Sequence, residues 1–172
     1  VGHKGFDLIA SSLDWIISRG ARLIILGTGD EKFENYFREA ENRYRGAVSA
    51  NIMYSEKRAS MIYAGADMML MPSRSEPCGL TQMIAMRYGT VPIVREVGGL
   101  KDTVRPLPSE NANGFTFRYY SSDDMNQAID EAMNTWQDKD KWQELMLRDM
   151  KEDLSWSRSA KEYINIYDSL RK

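Results

Sequence analysis

The sequence has very little of the residues that build disulfide frameworks and metal sites. Among its 172 residues there is one cysteine, Cys78, and one histidine, His3. A single cysteine cannot form a disulfide within the chain, so nothing in the sequence points to an oxidising compartment. Cysteine, histidine and carboxylate residues do not recur at metal-ligand spacing, and Cys78 has no candidate base near it in sequence. The pattern supports neither zinc chemistry nor a hydrolase triad, and we expect no metal.

Long apolar runs and an excess of charge of one sign are also missing. No stretch approaches the roughly 18 consecutive apolar residues that a membrane-spanning helix needs. The formal net charge is -2, which argues against a nucleic-acid-binding surface. We therefore expect neither a membrane nor a nucleic acid as a partner. A length of 172 residues is enough for one domain with a core of its own.

What the sequence does contain is a regular alternation of apolar runs and amphipathic segments. Each apolar run has the length and composition of a buried strand, and each segment between two runs has helical spacing. Strands are predicted at 22–30, 48–54, 67–73, 91–96 and 114–119. Helices are predicted at 5–20, 31–45 and 56–66, from about Gly79, after 97–100, from the cap residue Ser121, and at 139–153 and 156–171. This alternation predicts an α/β domain with a Rossmann-like, doubly wound parallel sheet.

In a doubly wound sheet, ligands bind at the carboxyl ends of the strands, so the loops that follow the strands are the candidate site. Four loops meet this condition: 27-GTGD-30, 54-YSE-56, 72-PSRSEPCGL-80 and 95-REVGGL-100. The first is not a G-x-G-x-x-G fingerprint, so a dinucleotide cofactor is not indicated, and we expect no cofactor.

The loop 72–80 carries the most informative residues. A helix that begins near Gly79 would point unpaired amides and its positive dipole end at the sheet edge, which suits a phosphate. Thr81 would add a hydroxyl. Glu76 would repel a phosphate but would accept hydrogen bonds from the hydroxyls of a ribose or a hexose, so the loop suggests a nucleotide sugar. The alternative is that Glu76 serves only as an acidic residue at the helix N-terminus.

Three further positions are candidates of weaker specificity. Gly98 and Gly99 precede a short helix and would face the same ligand, or they make an ordinary tight turn. Lys4, just before the first helix, would reach a diphosphate as a point charge, or it is a surface lysine. Tyr54 closes a strand and would stack on a base, or it only packs.

The run 73-SRSEPCGLTQMIAMRYGTVPIVREVGGLKDTV-104 resembles the retaining bacterial glycogen synthases and plant starch synthases. That family shares the patterns S-R-x-E-P-C-G-L-T-Q, A-x-R-Y-G-T, P-x-V-R and G-G-L-x-D-T-V. The opening 4-KGFDLI-9, the strand 113-NGFTF-117 and the terminal helix that begins at 155-SW-156 are similar to further family motifs. The resemblance covers essentially the whole chain.

The resemblance implies a GT-B glycosyltransferase, in which two Rossmann-like domains enclose the active site. Residues 1–154 would be the C-terminal, nucleotide-sugar-binding domain, and residues 155–172 a helix that crosses back to the N-terminal domain. The implied reaction transfers glucose from ADP-glucose to the nonreducing end of an α-1,4-glucan acceptor with retention. Without the N-terminal domain we expect this chain to be inactive. The implied location is the cytoplasm of a bacterium or, in a plant, the plastid.

The resemblance also implies a role for individual residues. Glu76 would contact the transferred glucose and serve catalysis, Lys4 would contact the diphosphate, and Tyr54 would stack near the adenine.

The remaining implied contacts lie in one loop. The backbone at Gly79 and Leu80, together with Thr81, would hold the phosphates or the glucose. Cys78 would lie beside the sugar without acting as a nucleophile.

The stripe of Trp156, Ala160, Tyr163, Tyr167 and Leu170 on the last helix would be partly exposed here, which predicts a sticky surface or dimerisation.

Two alternatives stay open. The chain would instead be the donor domain of another retaining GT-B glycosyltransferase, or would use UDP-glucose as donor. Many such enzymes have a second glutamate eight residues after the first, where this chain has Ile84, and this difference favours the glucan synthases. The other alternative is a nucleotide-sugar-binding module without catalysis.

Overall fold

A computed structural model describes residues 3–171. Outside the described residues lie Val1 and Gly2, at the start of the predicted domain 1–154, and Lys172, at the end of the predicted helix 155–172. Strands and helices alternate as predicted, and two further helices follow the last alternation. The elements are α1 (Phe6–Ser18), β1 (Leu23–Leu26), α2 (Glu31–Arg43), β2 (Val48–Asn51), α3 (Glu56–Gly65), β3 (Met68–Met71), α4 (Thr81–Arg87), β4 (Val91–Arg95), α5 (Gly98–Thr103), β5 (Phe115–Phe117), α6 (Ser122–Gln137), α7 (Lys139–Lys151) and α8 (Trp156–Leu170). Within residues 3–171, no helix combines the length and the apolar character needed to cross a membrane.

All strand pairs are parallel, which confirms the predicted α/β class. The five strands form two sheets among the described residues: β1 pairs with β2, and β3, β4 and β5 pair in that order. In the second sheet Met68 lies opposite Val91, and Ile93 lies opposite Phe115. The edges of β1 and β3 are not hydrogen-bonded to each other. The alternation of elements in the sequence identified the strands, but it carries no information on which edges pair.

Helix α1 joins the two sheets. Leu8 and Ile16 pack into the apolar core of β4, β5, α6 and α7, whereas Ile9 and Leu13 pack into the core of β1, β2 and α2. All four side chains are less than a tenth exposed. The helix has two buried faces, and this explains why apolar residues dominate it on both sides. The position of α1 therefore fixes one sheet relative to the other.

Three helices begin at serines whose side chains replace a missing backbone acceptor. Ser55, Ser121 and Ser155 each accept a hydrogen bond from the amide three residues further on. This is the usual N-cap geometry, and at Ser121 it confirms the predicted start of α6.

Helix α8 leaves its apolar stripe in solvent. Trp156 is 88% exposed and Leu170 is 75% exposed, and no residue of the helix is buried. Tyr163 and Tyr167 are also exposed. A contiguous apolar surface of this kind marks an interaction site more often than a free surface. Its role as a crossover helix stays a prediction.

A buried carboxyl group lies on α7, remote from the loops of the candidate site. Asp149 is 1% exposed, and neither carboxyl oxygen has a hydrogen-bond partner among residues 3–171. Burial and, to a smaller extent, the neighbouring Glu152 raise the pKa of Asp149 to about 8, against the opposing effect of Arg105 and Arg148. The folded protein therefore keeps this carboxyl protonated at neutral pH.

We expect Asp149→Asn to flatten the pH dependence of stability. The pKa of Asp149 is about 8 in the folded protein and about 4 in an unfolded chain. The folded protein thus holds the extra proton, and the free energy of unfolding falls as the pH rises through that interval. The variant should lose a slope of at most about 1.4 kcal/mol per pH unit and be the more stable protein at pH 8.

Urea denaturation at pH 4, 6 and 8 measures this effect. The control is Asp153→Asn, because hydrogen bonding to Ser155 lowers the pKa of the exposed Asp153 carboxyl. That substitution should alter the slope of stability with pH only at acid pH, and between pH 6 and 8 it should change stability by a constant amount. Parallel pH profiles for the wild type and Asp149→Asn would contradict the prediction.

Candidate functional site

The segment before α1 packs directly onto the loop that follows β3. The carbonyl oxygen of His3 accepts a hydrogen bond from the amide of Arg74 at 2.7 Å. Gly5 has a φ of 79°, and a Cβ atom there would lie 2.0 Å from the carbonyl oxygen of Pro72. Only glycine satisfies both conditions. As a result, Lys4 is held beside the loop 72–80.

Lys4 and Glu76 form an ion pair at this place. The Nζ atom of Lys4 lies 2.6 Å from Oε2 of Glu76, and the hydroxyl of Ser73 donates to the same oxygen at 3.1 Å. The side chain of Glu76 is 11% exposed and that of Lys4 is 46% exposed. The carboxylate is thus mostly enclosed, whereas the ammonium group is accessible to a dissolved anion.

The loop 95–100 closes the other side of Glu76 through its main chain. The amide of Gly99 donates to the carbonyl oxygen of Glu76 at 3.2 Å. A Cβ atom at Gly98 would lie 2.1 Å from that oxygen, and one at Gly99 would lie 1.8 Å from the carbonyl oxygen of Cys78. The loops after β3 and β4 are therefore in backbone contact, with no space for a side chain between them.

A buried glutamine connects the starts of α4 and α5. The side-chain amide of Gln82 donates to the carbonyl oxygen of Gly79 at 2.8 Å and to the hydroxyl of Thr103 at 3.1 Å. Thr103 in turn donates to the carbonyl oxygen of Gly99 at 2.6 Å. These two residues were not among the sequence candidates. The sequence contained one signal for Gln82: it lies three residues before the buried Ala85 and therefore on the same face of α4.

The turn that leads into α4 has free backbone donors. The amides of Gly79, Leu80 and Thr81 have no acceptor among residues 3–171. They follow the Glu76 turn directly, at the positive end of the helix. A ligand with negatively charged oxygens can be bound there by the amides and by Lys4 together.

The structure brings Lys4, Glu76 and the glycines of both loops together, but not every candidate. Tyr54 does not close β2, which ends at Asn51; it lies in the loop between β2 and α3, is 82% exposed, and its hydroxyl donates to Glu56 at 2.8 Å. This hydrogen bond raises the pKa of the Tyr54 phenol. The contact is local and does not join Tyr54 to the ion pair. Cys78 and Leu80 have exposed side chains, so their contribution to the turn itself is through the backbone.

The described part of the chain shows no metal cluster at this place. Within residues 3–171, no three His, Cys, Asp or Glu side chains are grouped so that they could hold a metal ion. A surface cavity of about 530 Å³ lies elsewhere, along α6 and the start of α7. The candidate site is an open edge formed by loops.

A parallel α/β fold with a loop-lined edge is shared by many unrelated enzymes, so the family is identified by comparison with known proteins. Residues 1–145 match the family described as Glycosyl transferases group 1. The chain belongs to this family.

Particular relatives narrow the similarity to glucan synthases. The glycogen synthase of Kosmotoga olearia is 47% identical over 97% of this chain and 36% of its own length. That of Desulfitobacterium hafniense is 48% identical over 99% of this chain and 37% of its own length. The catalytic domain of Starch Synthase IV from Arabidopsis thaliana, bound to ADP and acarbose, superposes with a TM-score of 0.88 at 34% identity, over 98% of this chain and 36% of that one. The resemblance to glycogen and starch synthases is confirmed, and the chain spans 36% to 37% of these proteins.

Replacing Gly99 should be costly because its Cβ atom would meet main chain rather than a flexible side chain. We expect Gly99→Ala to lower the free energy of unfolding by about 1–3 kcal/mol, as other overpacking substitutions do. The control is Gly65→Ala at the end of α3, where a Cβ atom would meet nothing within 4 Å. That change should be neutral or stabilising by up to about 1 kcal/mol. Thermal and urea denaturation measure both, and equal stabilities would contradict the close packing of the two loops.

Proposed function

We propose that this chain is the donor-binding domain of a glycogen or starch synthase, within a longer protein. The proposed reaction transfers glucose from ADP-glucose to the nonreducing end of an α-1,4-glucan, with retention of configuration. The observation that carries the proposal is the Lys4–Glu76 ion pair, since it places one accessible cation and one enclosed carboxylate beside three unpaired amides.

The charges of the site match the two halves of a nucleotide sugar. The diphosphate is anionic, and Lys4 with the amides of Gly79, Leu80 and Thr81 offers it positive charge. Glu76 is unsuited to a phosphate but suited to the hydroxyls of the glucose. When the glycosidic bond breaks, negative charge grows on the departing diphosphate, and donors fixed in place beforehand stabilise it most effectively.

The ion pair also explains how the enclosed carboxylate of Glu76 is stabilised before a ligand binds. A carboxylate that is largely removed from water needs a partner, and Lys4 provides one. When a diphosphate binds, Lys4 turns toward it across a short distance. Glu76 is then available to accept hydrogen bonds from the sugar.

The relatives support adenine as the base and a glucan as the acceptor. The plant starch synthase that superposes on 98% of this chain has ADP and acarbose bound. Tyr54, exposed in the loop between β2 and α3, is the proposed stacking partner of the adenine. The exposed stripe of α8 is the proposed contact with the remainder of the longer protein, an N-terminal GT-B domain. A cytoplasmic location, or a plastid one if the source is a plant, belongs to the same proposal.

Calorimetric titration of the chain with ADP, UDP and ADP-glucose tests the donor site. We expect ADP to bind more tightly than UDP. Lys4→Ala should weaken ADP binding about 10- to 100-fold, because it removes a charge-assisted hydrogen bond. Lys151→Ala, which removes an exposed lysine at the end of α7, is the control and should leave the affinity unchanged.

The alternatives predict different titrations. Equal or tighter binding of UDP would make UDP-glucose the donor. Failure of the longer protein to bind any of the three ligands would contradict the proposal.

The role of Glu76 is tested in the longer protein by Glu76→Gln. We expect glucosyl transfer to fall by about 100-fold or more, as when other preorganised transition-state contacts are removed. ADP has no glucose, so its affinity should change by no more than about threefold. Glu110→Gln, in the exposed loop before β5, should leave both unchanged. Transfer at the wild-type rate by the Glu76 variant would contradict the assigned role.

A further inference from the structure

Arg95, the last residue of β4, reaches across to the loop that carries Glu76. Its Nη1 atom donates to the carbonyl oxygens of Ser73, at 3.3 Å, and of Arg74, at 3.0 Å. These carbonyls lie three and two residues before Glu76. Arg95 thus holds the main chain at the start of the turn, whereas the amide of Gly99 holds it at Glu76 itself.

An aromatic ring, that of Tyr120, lies beside the guanidinium of Arg95. The guanidinium of Arg95 lies 5.4 Å from the ring centre of Tyr120, and that of Arg74 lies 4.2 Å from it. The hydroxyl of Tyr120 donates to Asp7 in α1, and the same carboxylate lies 3.7 Å from Arg74. The ring and the carboxylate offset the repulsion between the two arginines. The cluster of Asp7, Arg74, Arg95 and Tyr120 therefore joins α1, the Glu76 loop and the end of β5.

One hydrogen-bond donor of Arg95 is left without a partner. Its Nε atom is buried and has no acceptor among residues 3–171. A buried donor without a partner costs free energy, so its presence calls for an explanation. The geometry that Arg95 determines is that of the main chain at 73–74.

The need for this support follows from the contacts of Glu76. Its carboxylate accepts from Lys4 and Ser73. If Lys4 turns to a diphosphate, Ser73 remains, and Ser73 is itself held by Arg95 through its carbonyl oxygen. The direction of the carboxylate then depends on how rigidly residues 73–76 are fixed.

We propose that Arg95 is a positioning residue for Glu76. By binding the carbonyls of Ser73 and Arg74 beside the ring of Tyr120, it fixes the turn so that the carboxylate faces the sugar of a bound donor. This inference rests on the proposed function. Arg95 acts on Glu76 indirectly, through the main chain of the loop that carries it. Lysine cannot replace Arg95 fully, because its side chain is shorter than that of arginine and an ammonium group lacks the flat face of a guanidinium.

The test uses Arg95→Lys in the longer protein, which keeps the charge. A displacement of Glu76 by a fraction of an ångström impairs transfer more than binding, so we expect kcat to fall at least about 10-fold. The KM for ADP-glucose and the Kd for ADP should each change by less than about threefold. The matched control is Arg87→Lys: Arg87 also donates to a main-chain carbonyl, that of Met150 at 2.6 Å, but it ties α4 to α7. The kcat of the Arg87→Lys variant should stay within about twofold of the wild-type kcat.

A second measurement separates this inference from the proposed function. Hydrogen exchange of the 172-residue chain, without nucleotide, should be faster in Arg95→Lys at the amides of Arg74 and Gly99, which donate to the carbonyl oxygens of His3 and Glu76. Exchange at these two amides should be unchanged in Arg87→Lys. Unchanged exchange within β4 shows that the variant is folded.

Each result has a distinct meaning. A wild-type kcat for Arg95→Lys, unchanged exchange at the amides of Arg74 and Gly99, or a loss of ADP affinity as large as the loss of kcat would each overturn the role of Arg95. If the wild type neither binds ADP nor transfers glucose, the proposed function fails, while the exchange result still decides whether Arg95 fixes the loop.

Discussion

The structure depends on main chain packed against main chain around residues 72–78. Gly5 lies on Pro72 and Gly99 lies on Cys78, both at distances that exclude a Cβ atom. These two contacts bring together segments from the start of α1 and from the ends of β3 and β4. Because the contacts involve backbone rather than flexible side chains, they fix the Glu76 turn closely, and Lys4 meets Glu76 as a consequence.

The fold and the site are coupled through α1. This helix is buried against both sheets, and the residue that precedes its glycine cap is Lys4. Any movement of α1 relative to β3 would therefore change the separation of Lys4 from Glu76. The cluster around Tyr120 adds a second connection between α1 and the same loop, through Asp7. The carboxylate proposed to be catalytic and the cation proposed to bind phosphate are in this way positioned by the core itself.

Much of this was predictable from the sequence, and the reasons for the rest are physical. Apolar periodicity located all five strands, and the strand-end rule with the family resemblance located the Glu76 loop. The direct pairing of Lys4 with Glu76 was not predicted, since it joins residues 72 positions apart. The roles of Gln82 and Arg95 depend on partners that only tertiary structure supplies. The stacking role of Tyr54 stays a prediction, because its contacts are local.

The central claim is that Lys4 and Glu76 exchange partners when the donor binds. A crystal structure of the longer protein with ADP-glucose tests it most directly. We expect the Nζ atom of Lys4 within about 3.2 Å of a diphosphate oxygen, and the Glu76 carboxylate at hydrogen-bonding distance from a glucose hydroxyl. A structure in which the donor is bound while Lys4 still pairs with Glu76, and the glucose lies beyond the reach of that carboxylate, would contradict the account.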